Sequence, residues 1–177
     1  MGTYINLVFF GISFIALSIS GGFATDSARR VTGISGWDKN PDLSTAHKYL
    51  SIAAVVCWIT VAAIIVGGIL YIWGTAETIE LGSLGWAGYM VYGLLFLSLA
   101  ATIVVGILSA LGAQKIANSK VTNDNNSRRQ AIIAAVLALV TAVGLIAALI
   151  TMFAYHGSKK KKDTSTESEL QTLALMA

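Results

Sequence analysis

The chain has 177 residues, of which 55% are hydrophobic and 12% charged, with a formal net charge of +3 and a mean hydropathy of +0.72. Soluble globular domains carry roughly 25% charged residues, so this balance excludes an ordinary water-soluble globule and places most of the chain in lipid.

Runs free of Lys, Arg, Asp and Glu extend over 2–25, 49–76, 81–114 and 130–158, which are 24, 28, 34 and 29 residues long. Each exceeds the roughly 20 residues that a helix needs to cross a hydrocarbon core of about 30 Å. The expected fold is therefore an all-α membrane protein. It is a bundle of four transmembrane helices over 1–155, with spans at about 3–24, 49–73, 86–112 and 131–155 and a disordered basic C-terminal tail at 156–177. The single cysteine, Cys57, lies inside the second run and excludes an intramolecular disulfide. That rules against claudin-like and tetraspanin-like proteins, which have four spans but carry cysteines in their loops.

The first run could be taken for a secretory signal, because small residues cluster at Gly21, Gly22 and Ala24. No Lys or Arg precedes its apolar part, and that part is longer than a signal core of about 7–15 residues, so a retained span is expected. A polar connection follows, with Arg29 and Arg30 near its start and glycines at 33 and 36. Asp42 and Ser44 are the candidate caps of the second helix. His47, at the head of that span, reads as an interfacial residue that pairs with Asp42 or a lipid phosphate.

The short connection after Trp73 has Glu77 and Glu80 as its only charges and makes spans two and three an antiparallel hairpin. Span three sets Ser98, Thr102, Gly106 and Ala110 at a spacing of four, span four sets Ala134, Ala138 and Ala142 likewise, and span two offers Ala63 and Gly67. Small side chains let helix backbones approach closely in lipid, where burial of apolar surface gives no driving force, so these nine positions are the expected helix contacts.

The third connection is rich in Asn and carries Arg128 and Arg129, beside a formal glycosylation acceptor at Asn125-Asn126-Ser127. Its closeness to the fourth span argues against use of that acceptor. Beyond the fourth span come Lys159, Lys160, Lys161 and Lys162, then a Ser/Thr/Glu-rich stretch. The plain reading of the four lysines is anchoring to anionic headgroups; contact with nucleic acid is the less specific alternative. Together with Arg29, Arg30, Arg128 and Arg129 they are the expected surface contacts. Connections one and three hold eight Lys and Arg, and the tail four. The positive-inside rule then places those connections in the cytosol, with the tail lysines pulling the other way.

No Asp, Glu, Lys, Arg or His lies inside the four spans, and neither a nucleophile with its base, nor a metal-ligand set, nor a phosphate-cradling glycine loop occurs. An enzyme is not expected, and no cofactor is implied. The segment D-L-x-x-A-H-x-x-L-x-x-A-A, formed by Asp42, Leu43, Ala46, His47, Leu50, Ala53 and Ala54, resembles small multi-pass proteins from the internal membrane of large icosahedral DNA viruses of the iridovirus and marseillevirus type. A weaker echo stands at Arg128-Arg129-Gln130-Ala131. The resemblance implies a structural virion-membrane protein, in the virion or a host endomembrane, whose loops meet capsid or minor capsid proteins. The four-span plan is also similar to MARVEL-type membrane organisers. The rival from another class is a small channel or carrier, a homo-oligomer with a pore lined by Ser and Thr.

Overall fold

A computed structural model describes the backbone over 2–77, 86–119 and 125–176, and the side chains over 5–73, 88–119 and 125–154. Four helices account for nearly all of it: α1 (Gly2–Thr32), α2 (Pro41–Glu77), α3 (Trp86–Asn118) and α4 (Asn125–Met176). All four contain segments long and apolar enough to span a membrane. Each helix packs on the one before it, and α4 closes on α1, so the bundle is a ring of antiparallel neighbours.

The helices are longer than the apolar runs that define them. Residues expected in the first connection extend α1 to Thr32, where Asp26 and Arg30 form an i,i+4 ion pair of 3.0 Å. The helix stops at Gly33, whose N–H donates to the carbonyls of Arg29 and Arg30. The turn to α2 then needs only 33–40, with Gly36 in the left-handed region at φ 75°. The cap of α2 is Asn40, in place of the expected Asp42 or Ser44. Its Oδ1 accepts from the Asp42 and Leu43 N–H groups at 3.0 and 3.3 Å, and Pro41 occupies the first helical position, where no N–H is needed.

At the other end, α4 runs on to Met176 through the segment expected as a disordered tail. From 158 to 176 the sequence contains neither Gly nor Pro, and Lys, Glu, Gln, Leu and Ala sustain a helix that has already been nucleated within the membrane. Side chains from 155 onward, including Lys159 to Lys162, lie outside the described residues, as do residues 78–85 and 120–124.

One repeat organises the interior. On α1 the buried positions include Asn6, Phe10, Ser13, Leu17, Ser20, Ala24, Ser27 and Val31, which alternate steps of four and three. The same alternation runs through Leu43, Ala46, Leu50, Ala53, Cys57, Thr60, Ile64 and Gly67 on α2. It recurs at Val91, Leu95, Ser98, Thr102, Val105, Ser109, Gly112 and Ile116 on α3, and at Ser127, Ala131, Ala134, Ala138, Thr141, Leu145, Ala148 and Met152 on α4. This is a seven-residue repeat of 3.5 residues per turn, the period that imposes a left-handed supercoil with side chains interlocked across the seam.

The outer surface inverts the soluble pattern. Large side chains such as Val8, Ile15, Ile59, Ile69, Phe96, Leu97, Leu139 and Val143 point outward, while alanine, serine, threonine and glycine occupy much of the interior. That distribution suits a solvent of acyl chains, where close backbone approach and interhelical hydrogen bonds drive association.

Candidate functional site: a hydroxyl seam and a basic end

Along the α1–α4 seam, hydroxyls recur every seven residues. Ser27 Oγ donates to the Ser127 carbonyl and Ser20 Oγ to the Ala134 carbonyl, both at 2.8 Å. Seven residues further along α1, Ser13 sits against Gly144, where a Cβ would come within 2.8 Å of the serine oxygen. At the far end Thr151 donates its hydroxyl to Asn6 Oδ1, and Asn6 Nδ2 donates to the Tyr71 hydroxyl at 3.0 Å, joining α1, α2 and α4. Asn6, Ser20 and Ser27 therefore tie α1 to α4 by hydrogen bonds, with Ser13 packed against Gly144 between them. Thr60, Thr102 and Thr141 instead donate to the carbonyl four residues earlier in their own helices. Ser13, Ser98 and Ser109 are buried with no hydrogen-bond partner for their hydroxyls among the described residues.

The small residues singled out in the sequence fall on different surfaces. Ser98, Thr102, Gly106, Gly67, Ala134, Ala138 and Ala142 are buried, and Ala63 is half-buried. Gly106 faces α4, where a Cβ would make ordinary contact with Ala138 Cβ at 3.6 Å; one at Gly67 would meet Leu94 Cβ at 3.8 Å. Ala110 is exposed, contrary to its expected place in the contact stripe. A step of four advances a helix about 40° past a full turn, so three steps from Ser98 carry Ala110 about 120° off the seam. Ser109 takes the buried position instead.

Charged and aromatic residues gather at the end of the bundle that holds the α1–α2 turn, beyond the charge-free runs. Asp26 accepts from both Arg30 and Gln130, tying α1 to the second turn of α4. These donors, Arg30 first, hold the Asp26 carboxyl below the usual carboxylate range. Lys115 Nζ donates to Asp42 Oδ1 at 2.9 Å, which clips the end of α3 to the start of α2 and raises the Lys115 ammonium above its ordinary value. His47 does not pair with Asp42, which Lys115 engages. Its Nδ1 faces the Ala28 carbonyl at 3.2 Å, an acceptor that requires the proton on that nitrogen, and Trp37 stands edge-on with ring centroids 5.0 Å apart. Ser127, the third residue of the formal glycosylation acceptor, is buried against α1.

The arginines expected at the surface, Arg29, Arg30, Arg128 and Arg129, are all exposed; Arg30 pairs with Asp26, whereas the other three make no ion pair among the described residues. Between α1 and α4, Arg30 and Arg129 line a groove of about 230 Å³ with Phe23, Asn126, Gln130 and Ile133. Among the described residues no three His, Cys, Asp or Glu side chains converge as a metal site would require.

The heptads were open to sequence reasoning. Asn6, Ser13, Ser20 and Ser27 are polar at strict intervals of seven in a largely apolar stretch, a period that a spacing of four does not match. The Asp42–Lys115 and Asp26–Gln130 contacts join residues 73 and 104 positions apart and had no local signal. No protein family, curated protein or solved structure matches the chain.

Proposed function

We propose that this multi-pass membrane protein acts structurally, organising a bilayer and holding protein partners at its arginine-rich end. The observation that carries the reading is the ordered basic end itself. Arg29, Arg128 and Arg129 project from helix ends that the Asp26–Arg30–Gln130 and Asp42–Lys115 contacts lock together. Guanidiniums carried on helix ends fixed in this way offer bidentate recognition of carboxylates or phosphates. If the resemblance of the Asp42–Ala54 segment to internal-membrane proteins of large DNA viruses is followed, those partners are capsid or minor capsid proteins.

The interior favours this reading over a channel or carrier. The threonines at mid-bundle donate to their own helices, and the buried α1 serines either donate to α4, as Ser20 and Ser27 do, or pack against it, as Ser13 does. Transport across such a core would have to break the seam that registers the helices. The test is flux through vesicles containing the purified protein, combined with photo-cross-linkers placed at positions 29, 128 and 129 in the native membrane. Absence of selective flux together with a discrete cross-linked protein at those positions is the expected result. A selective, saturable current overturns the structural reading.

A further inference from the structure

Between α3 and α4 a groove of about 340 Å³ opens on the outer face of the bundle. Its α3 wall is Ala110, Ala113 and Ala117, and its α4 wall is Ile132, Ala135, Val136 and Leu139. The α4 residues from 128 to 139 extend about 16 Å along the helix at 1.5 Å per residue. Two polar residues join the lining, Gln114 within the α3 wall and Arg128 at the start of the α4 wall. Alanines on α3 create the channel, because the exposed neighbours that would fill it were they larger are methyl groups.

The geometry points to a specific phospholipid site in which the phosphate is held by Arg128 and Gln114 and one acyl chain lies along the alanine wall. Charge decides the occupant. Arg128 marks the level at which charge-free helix gives way to polar chain, the depth of lipid phosphates, and among the described residues no carboxylate pairs with it. A second copy of the chain in the same membrane has the same orientation and would bring its own arginine-rich end to that level, where like charges repel. A phosphodiester supplies the opposite sign and two oxygens for the guanidinium fork. The α1–α4 groove repeats the arrangement on the other side of α4, with Arg30 and Arg129 at its polar end and Phe23 and Ile133 below. The inference shares Arg128 with the proposed partner role but concerns the lipid-facing wall between α3 and α4. Leucines substituted for Ala110 and Ala117 leave Arg29, Arg128 and Arg129 in place, so loss of lipid there tests the groove separately from partner binding.

Native mass spectrometry of the full-length protein, with phosphatidylglycerol added to the detergent, tests it. The wild type should retain one lipid. Arg128→Gln should bind about tenfold more weakly, the cost of one charge-assisted hydrogen-bonding group, and Arg128→Lys should recover part of the loss. The double variant Ala110→Leu, Ala117→Leu fills the groove from exposed positions while leaving the heptad core and the guanidinium intact, and should lose the lipid as well. Diacylglycerol, with the same chains and no phosphate, should not distinguish wild type from Arg128→Gln. Equal phosphatidylglycerol retention by wild type and either variant overturns the site. So does a wild-type dimer that the double leucine variant dissolves, because the occupant is then a second copy.

Discussion

A methyl group placed on Gly112 would lie 2.8 Å from Leu50 Cγ and 3.0 Å from its Cδ2, so α3 touches α2 through bare backbone at this level. Leu50 is fully buried and cannot step aside into solvent. Gly112→Ala should therefore destabilise the bundle by about 1–3 kcal/mol, the range for overpacking a filled core. Gly106→Ala meets Ala138 at an ordinary 3.6 Å and should be close to neutral, while Gly106→Leu should drive α3 from α4 without affecting insertion. Unfolding of each variant in detergent, followed by circular dichroism, makes the comparison. Equal stability of the two alanine variants would contradict the packing described.

The hydroxyl seam separates serines that look alike in sequence. Ser20→Ala and Ser27→Ala each remove a 2.8 Å bond to α4 and should cost about 0.6 kcal/mol, the average for interhelical hydrogen bonds in membranes. Ser13→Ala removes a buried hydroxyl with no hydrogen-bond partner among the described residues and should be neutral or stabilising. Asn6→Leu severs links to both Tyr71 and Thr151 and should cost more than either bonded serine. A Ser13→Ala variant less stable than Ser20→Ala would reverse this order.

Cys57 tests whether α1 belongs to the bundle. Its thiol is buried and donates to the Leu17 carbonyl at 3.1 Å, and Gly21 of α1 packs close enough that a Cβ would lie 3.1 Å from the sulfur. In the native protein a maleimide should label it slowly, and Gly21→Leu, which forces α1 away, should speed labelling well before global unfolding. Rapid modification of the unaltered protein would mean that α1 does not cover this face.

The two ion pairs at the basic end should act differently with pH. The Asp26 carboxyl is held below its ordinary value of 3.8, so its contribution is complete above that pH and is lost as acid protonates it at still lower pH. Lys115 is raised above 10.5, so its contribution holds at and below that value and fades as pH climbs past it. The Asp42–Lys115 side chains are 31% and 38% exposed, so solvent screens the pair and keeps its contribution small. Lys115→Ala should therefore lower stability slightly at neutral pH and flatten its alkaline fall, while Asp26→Asn should flatten the acid limb. Thermal unfolding across pH checks both; unchanged acid behaviour in Asp26→Asn would remove that carboxylate from the account.

Hydropathy alone determined that this chain crosses a membrane four times, because spans are long, locally contiguous and nearly charge-free, and each needs only its own residues to satisfy its backbone. The composition of the interior was also legible in part: Ala134, Ala138 and Gly106 are small where helices meet. What tertiary structure decided is which side of each helix is inside. A spacing of four drifts around the helix while the supercoiled bundle keeps a period of 3.5, so Ala110 turned outward to line a groove and Ser109 turned in. Asp42 found Lys115 and left His47 to the Ala28 carbonyl, since those partners are chosen by the antiparallel alignment of helices far apart in sequence.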